Sequence, residues 1–247
     1  MLAKLKMVLK TDSNAVLNSY KASLLHGVIM EHIDREYAEG LHTTGLNPFT
    51  SNLIKKEEKY IWTVTTLNKK SYEKIMQVLL SSDFNEFVIK HNNMKVQITD
   101  KKLETKPKSE LMEKFYHCEV ENQFHIRFIT PTAFKSNGQY IIYPDIPFIF
   151  KNIMNKYNAS SNEDVFDDED TFEQIINNTK IIRYNLMSTV FSMEGVKIPS
   201  FVGNITLRVN GTDTIKRFIR LLLEFSEYSG IGIKCSLGMG GVKLLKD

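Results

Sequence analysis

The chain has 247 residues, of which 42% are hydrophobic and 25% are charged, and its formal net charge is +3. This composition is typical of a folded globular protein, and no stretch approaches the roughly 18 to 20 unbroken apolar residues of a membrane-spanning helix. The N-terminal residues alternate apolar and basic side chains and lack the apolar core of a signal peptide, so we expect a cytoplasmic protein without membrane contact. Cys118 and Cys235 lie far apart without metal-ligand spacing, which favours unpaired thiols over a disulfide framework.

The charges are unevenly distributed. Seven acids and no base fall between Ser161 and Gln174, and removing their −7 from the total of +3 leaves +10 on the other residues. Such a surface can neutralise phosphates and release their counterions. We interpret the acidic run as a solvated or mobile loop whose charges keep apart in water. The alternative is a metal site, which is disfavoured because the run lacks the interleaved glycine or asparagine of a calcium-binding loop.

The first half of the chain alternates strand and helix patterns. Leu5, Met7 and Leu9 alternate with lysines, which predicts a half-buried first strand. A polar stretch from Leu41 to Pro48 follows the first predicted helix, and the lysine-rich segment Lys101 to Lys108 is a linker or a twisted sheet edge. The other predicted elements are a helix over Leu17–Ile33, a strand over Ile61–Thr66, a helix over Ser71–Ser81 capped near Asn68, and short strands near Phe87 and Val96.

The second half repeats the same order of elements. Asn137-Gly138 is a strong hairpin signal that joins Thr132–Phe134 to Tyr140–Tyr143. Thr212 or Asp213 begins an amphipathic helix that ends at Gly230, where a C-terminal glycine is expected. The other predicted elements are strands over Phe124–Thr130, Ile181–Phe191, Ile205–Val209 and Val242–Leu245, and a helix over Phe148–Tyr157.

Two successive β-α-β-β-α-β patterns predict an α+β protein of two tandem ferredoxin-like (RRM-like) domains packed side by side. We expect the first domain to span residues 1–118 and the second to span residues 119–247.

The C-terminal region contains a glycine-rich motif. Gly230-Ile231-Gly232 and Gly238-Met239-Gly240 flank five residues that include Lys234 and Ser236. Glycines allow positive φ and close approach of the backbone to a ligand, so exposed N–H groups here would cradle phosphate. A tight helix-to-strand connection without a ligand is the alternative. The motif has neither the third glycine of a dinucleotide fingerprint nor the Gly-Lys-Ser/Thr of a P-loop.

This glycine spacing resembles the signature loop of CRISPR-associated endoribonucleases that cut repeat RNA into guide RNAs, a family of the RAMP superfamily. A second likeness lies in Leu25-His26-Gly27, in the Leu-His pair that ends at His42, and in Pro48-Phe49-Thr50; a third is Lys197 to Phe201. The resemblance therefore covers both halves of the chain. It implies a catalytic histidine in the first domain, and an RNA-binding hairpin and glycine-rich loop in the second.

The resemblance also implies RNA cleavage without a metal or cofactor. The ribose 2′-OH attacks the adjacent phosphate and leaves 2′,3′-cyclic phosphate and 5′-OH ends. His42 matches the family's catalytic histidine, and a histidine titrating near neutrality can transfer the protons. The family's tyrosine and lysine positions fall on Met30 and near Asn47, so neither group is present. His26 lies one helical turn before Met30 and is either a catalytic partner of His42 or a packed helix histidine.

The resemblance implies the CRISPR repeat RNA as partner. Paired RNA is recognised mainly by shape and phosphate, and the candidate contact residues are Arg127, Lys135, Lys180, Arg183, Lys197, Gly230, Gly232, Lys234, Ser236, Gly238 and Gly240. The protein would act as a monomer or homodimer, alone or with a CRISPR effector complex. Two other functions stay open, a non-catalytic RNA-binding RAMP subunit of such a complex and a small-molecule enzyme of ferredoxin-like architecture.

Overall fold

The structure is a computed structural model that describes residues 1–11, 17, 21–43, 45–117, 119–161, 166, 168–193 and 195–245. Cys118 lies outside the described residues, and so do residues 162–165 and 167 of the acidic run. For the end of that run the predicted solvated loop is wrong, because Asp168 caps the helix Glu169–Asn178. No helix in this part of the chain is long and apolar enough to cross a membrane.

A five-stranded antiparallel sheet forms in the first half, in the order β2-β3-β1-β5-β4. The alternation predicted for β1 is confirmed, because Leu5, Met7 and Leu9 are buried while Lys6 and Lys10 are exposed. The elements are β1 (Leu2–Thr11), α1 (Ala22–His32), α2 (Arg35–Thr43), β2 (Phe49–Lys56), β3 (Lys59–Thr66), α3 (Lys69–Ser71) joined by a π-helical turn (Tyr72–Met76) to α4 (Gln77–Leu80), β4 (Glu86–Ile89) and β5 (Met94–Lys106).

A four-stranded antiparallel sheet forms in the second half, in the order β11-β6-β10-β9. Its buried side chains pack against the helices α6 and α8 in one hydrophobic core. The elements are α5 (Lys108–His117), β6 (Gln123–Thr132), β7 (Phe134–Ser136), β8 (Gln139–Ile141), α6 (Ile146–Ala159), α7 (Glu169–Asn178), β9 (Thr179–Met193), β10 (Val196–Val209), α8 (Asp213–Ser229) and β11 (Val242–Leu245).

Both sheets have the ferredoxin-like strand order, so the predicted fold class is confirmed. In each, the first strand lies centrally, between the third strand and the last strand of the β-α-β-β-α-β pattern; β4 is added at the edge of the first sheet. The two sheets have separate buried clusters. The hydroxyls of Thr50 and Thr65, on strands of the first sheet, donate hydrogen bonds to the carbonyl oxygen of Tyr228 at the end of α8.

Several predicted bounds are wrong. The helix predicted from Leu17 begins at Ala22. Of the two interpretations of the lysine-rich segment, the sheet edge agrees with the structure and the linker does not, since Lys101–Lys106 belongs to β5 and pairs with β1. The hairpin strands on either side of Asn137-Gly138 are three residues each. The segment Lys197–Phe201 lies within β10. This strand forms a long hairpin with β9, and the hairpin extends beyond the part of β10 that pairs with β6.

Candidate active site

The four glycines of the two Gly-apolar-Gly units adopt a backbone that other residues rarely adopt. Gly230, Gly232, Gly238 and Gly240 have φ values of +65°, +92°, +117° and +69°. All four are buried, and a Cβ would lie 2.4 Å from the carbonyl oxygen of Ala133 at Gly232 and 2.4 Å from the Cβ of Ala22 at Gly238. The expected exposed N–H groups are not found at Gly230, Gly232 and Gly240, whose amides donate to Ser226, Asn152 and Pro131, because the loop folds tightly against neighbouring elements.

The loop is fixed to the second half by backbone hydrogen bonds and by packing. The Ile233 amide donates to the Ala133 carbonyl at 3.0 Å, and the Gly240 amide donates to the Pro131 carbonyl at 2.9 Å. On its other side, Met239 packs with Phe191 and Ile198 of the long β9–β10 hairpin. The loop is therefore held between the helices and this hairpin.

Helix α6 supports the loop from within the protein. Lys156 is 7% exposed, and its ammonium donates to the carbonyl oxygens of Gly230 and Gly232 and to the Cys235 sulfur, at 3.0–3.1 Å. One turn earlier, the Asn152 Oδ1 accepts the Gly232 amide at 2.8 Å. Sequence reasoning missed both residues. The available signal was two polar residues four apart on the apolar face formed by Ile149, Ile153 and Tyr157.

His26 connects the first half of the chain to this loop. Its Nδ1 lies 3.2 Å from the carbonyl oxygen of Ser236, and its ring stacks on Phe49 with centroids 5.7 Å apart. A carbonyl oxygen only accepts, so the Nδ1–H is the donor in this contact. The Asn47 amide donates to the Ser236 hydroxyl at 3.1 Å. His26 and Asn47 therefore reach the loop at the same residue, Ser236.

His42 lies in the last turn of α2 and is exposed. The prediction that it sits in a loop is wrong, because α2 continues to Thr43, where the Thr43 hydroxyl donates to the Gly40 carbonyl. The residues that follow, Gly45 to Asn47, line a cleft of about 290 Å³ together with Lys234, Ser236 and Lys156. Residues 45–47 and the glycine-rich loop therefore line the same cleft.

By the family resemblance, the tyrosine position falls on Met30 and the lysine position falls near Asn47. Met30 is half-buried and packs against the core of the first half. Asn47 is engaged with Ser236 and is uncharged. Cations reach this cleft instead from the loop wall and from α6, through Lys234 and Lys156.

The other predicted RNA contacts occupy two regions. Arg127 pairs in register with Lys243 and Asn204, while Arg183 pairs with Thr206 and Lys180 pairs with Arg208. Residues paired in register share a face, so these cations lie on the face of the second sheet that is turned away from its helices. Lys135 and Lys197 instead lie on the two hairpins, β7–β8 and β9–β10, and both are exposed.

The charged side chains on the strands of the second sheet are all basic. Its four strands contain no aspartate or glutamate. A further cleft of about 380 Å³ between the two sheets is lined by Lys4, Lys6, Lys56 and Lys243, with Glu227 as its acid. Burial lowers the pKa of Lys4, whose ammonium lies 4.5 Å from the centre of the Tyr228 ring. Burial also raises the pKa of Tyr228 to about 12, so this phenol stays protonated at neutral pH.

Comparison with known proteins gives consistent matches. A family model described as CRISPR-associated endoribonuclease Cas6 matches residues 126–242. A protein of that description from Streptococcus thermophilus is 34% identical over 219 residues, 89% of this chain and 89% of the relative. One from Mycobacterium tuberculosis (strain CDC 1551 / Oshkosh) is 31% identical over 225 residues, 89% of this chain and 70% of the relative.

Solved structures share the fold over nearly the whole chain. Thermus thermophilus Cas6 aligns with a TM-score of 0.78 at 20% identity, over 99% of this chain and 98% of that chain. A structure described as a Cas6 product complex aligns with a TM-score of 0.81 at 21% identity, over 99% and 100% of the two chains.

Proposed function

The chain belongs to the Cas6 family of CRISPR-associated endoribonucleases, and from this premise we propose how it cuts CRISPR repeat RNA. The 2′-OH at the cleavage site attacks the adjacent phosphorus, the bond to the 5′ oxygen breaks, and 2′,3′-cyclic phosphate and 5′-OH ends result. One group must remove the 2′-OH proton, another must protonate the leaving oxygen, and cations must stabilise the negative charge on the phosphate. No metal is required by this scheme.

His42 is the main proton-transfer residue in this proposal. It is exposed at the end of α2, and residues 45–47, shortly after it in the chain, line one cleft together with the glycine-rich loop. That shared cleft is the observation that supports the proposal, since residues close to His42 in sequence line it with Lys234 and Ser236. Lys234 takes the role of the family's missing lysine at the phosphate.

His26 is proposed as the partner of His42. The Ser236 carbonyl accepts the Nδ1–H and so orients the ring. A base oriented in this way can accept the 2′-OH proton while the protonated His42 supplies a proton to the leaving oxygen. The stacking on Phe49 fixes the plane of the ring.

The deciding experiment is cleavage of the host's own repeat RNA in EDTA, analysed on a denaturing gel. The parent is compared with His42→Ala, with His26→Ala, and with a repeat that carries a 2′-deoxy nucleotide at the cleavage site. We expect a single cut by the parent that is lost with His42→Ala and with the deoxy substrate, since each proton transfer is worth about 10²- to 10⁴-fold. Cutting of the deoxy repeat would exclude the 2′-OH mechanism.

Other outcomes discriminate between the remaining possibilities. Tight RNA binding with no cut by the parent would favour the non-catalytic effector subunit. A parental single-turnover rate for His26→Ala would remove its role as partner and leave it a packed residue that supports the loop. Failure to bind any RNA would favour the small-molecule enzyme.

The RNA surface extends beyond the cleft in this proposal. The acid-free face with Arg127, Lys180 and Arg183 and the hairpin residues Lys135 and Lys197 contact the phosphates of the repeat. We also propose two domains with the boundary at residues 118/119, a cytoplasmic location beside the transcript, and action as a monomer or homodimer, alone or with an effector complex.

A further inference from the structure

Lys156 is a buried cation directly beneath the glycine-rich loop. Its three ammonium protons meet three loop acceptors, the oxygens of Gly230 and Gly232 and the sulfur of Cys235. Among the described residues it forms no ion pair with a carboxylate. A lysine is rarely buried without a charged partner, so the position is costly for the fold and needs an explanation beyond packing.

The contacts fix the direction of the loop backbone. Two carbonyls turn inward to one ammonium, and the Gly232 amide turns inward to Asn152 on the same face of α6. With Gly230 and Gly232 held from below, the next polar residues, Lys234 and Ser236, emerge on the wall of the cleft. The helix thereby determines which atoms of the loop face the substrate.

Lys156 also lines the floor of the same cleft of about 290 Å³. A positive charge away from bulk water acts more strongly on a nearby anion than an exposed one does. No acid lines this cleft among the described residues, so the charge is not cancelled there.

We propose that Lys156 is a positioning residue for the phosphate backbone of the RNA substrate. It sets the conformation of the glycine-rich loop, and it places a positive charge below the phosphate that the loop receives. The RNA part rests on the proposed function, whereas the loop part does not. The same helix provides a matched control in Lys151, which is exposed and lies 5.2 Å from the centre of the Phe172 ring.

The test compares the parent with Lys156→Met, Lys156→Gln and the control Lys151→Met. The dissociation constant is measured with the non-cleavable 2′-deoxy repeat, and the single-turnover rate is measured at saturating cleavable repeat. We expect Lys156→Met to weaken binding about tenfold or more, as for the loss of hydrogen bonds to a charged group. At saturation its rate should fall less than its affinity, because the residue does not touch the reacting atoms.

The Lys156→Gln variant tests whether the positive charge of Lys156 is needed for RNA binding. It also replaces Lys156→Met in the test if the methionine variant does not fold. Lys156→Gln keeps polar contact with the loop but has no charge, and it should also bind the repeat more weakly than Lys151→Met does. Parental affinity in a folded Lys156→Gln or Lys156→Met variant would overturn the proposal, as would a loss confined to the rate at saturation.

A measurement without RNA separates this proposal from the proposed function. Cys235 is 7% exposed and lies against Lys156, so release of the loop should expose its thiol. Alkylation is followed by mass spectrometry of the peptide that contains Cys235. Faster alkylation in Lys156→Met than in the parent and Lys151→Met supports the positioning role even if the parent cuts nothing, and equal rates in all three would overturn it.

Discussion

Glycine serves two different purposes at the residue scale around the cleft. At Gly238 the backbone φ is +117°, and a Cβ would lie 2.4 Å from that of Ala22 in α1. At Gly27, inside α1, nothing lies within 4 Å of an added Cβ. The first glycine allows the loop and α1 to touch, and the second leaves the helix surface beside His26 open.

Alanine at the two positions should therefore have opposite effects. Gly238→Ala should lower the free energy of unfolding by about 2–4 kcal/mol, because it adds both a clash and a strained backbone. Gly27→Ala should raise it by about 0.5–1 kcal/mol, because glycine is unfavourable within a helix. Urea denaturation measures both values. Equal effects of the two changes would show that α1 and the loop are not packed together as described.

The sequence predicted single residues well where one residue has a local signal. The Asn137-Gly138 turn and the special backbone of the glycine motif are both confirmed. The role of Lys156 could not be predicted, because burial of a lysine depends on acceptors 74 to 79 residues away in sequence. No pattern within α6 reveals the partner of a polar side chain.

At the scale of elements, α8 is joined to α5 and β5 by a cluster of charges around Glu224. Its carboxylate contacts Arg220, Lys106 and Lys114 at 3.2–3.4 Å. Burial by itself raises the pKa of Glu224, but the hydrogen bond from Arg220 and the charges of Lys114 and Lys106 hold that pKa below its ordinary value. The folded protein therefore favours the ionised carboxylate.

The sign of this pKa shift gives a pH-dependent prediction. A carboxyl group whose pKa is lower in the folded protein stabilises the fold at pH values above its pKa in the unfolded chain. This stabilisation is lost as the pH falls through the pKa of the folded state. Glu224→Gln should reduce the free energy of unfolding by about 1–2 kcal/mol at pH 7, and the difference should shrink below about pH 4.5. Denaturation at a series of pH values measures this difference.

The exposed pair Lys6–Glu104 provides the control. Glu104→Gln should change stability little at any of these pH values, because exposed ion pairs contribute little. A Glu224→Gln effect that stays constant down to about pH 3 would mean that altered packing, and not the missing charge, is responsible.

Helix starts with capping residues could be predicted, whereas elements defined by long-range pairing could not. Asn68 caps its helix with a capping box, and the Thr212 hydroxyl accepts the Ile215 amide as an N-cap. By contrast, local composition left the lysine-rich stretch open as a linker or a twisted sheet edge, and only its pairing with β1 shows that it belongs to β5. The extension of α2 to His42 was likewise hidden by polar residues.

For the whole molecule, charge is segregated between surfaces. The strands of the second sheet have no acid, while seven acids occur between residues 161 and 174. In the proposed function, the cations on the sheet face, the hairpins and the loop provide a large contact area for phosphates. The tandem fold itself was predictable, because each half repeats the same succession of patterns; the way the halves share one cleft was not, since it depends on contacts between distant segments.

Removing two of these cations should weaken RNA binding in a salt-dependent way. Lys197→Ala combined with Lys234→Ala should lower the slope of log affinity against log salt by about 0.7–0.9 for each phosphate that is no longer neutralised. Lys90→Ala with Lys95→Ala, at the edge of the first sheet, is the control and should leave the slope unchanged. An unchanged affinity across salt for the first pair would place the RNA elsewhere.

The hydrogen bond between His26 and Ser236 spans 210 residues, and this separation has a consequence for synthesis. A ribosome delivers α1 long before the loop, and β11 cannot complete its pairing with β6 until residue 245 has emerged. Domains fold as they appear, but the cleft has only one wall in the nascent chain. Any cleavage that depends on this cleft therefore begins only after the loop has been translated, so an unfinished chain leaves nearby transcripts intact.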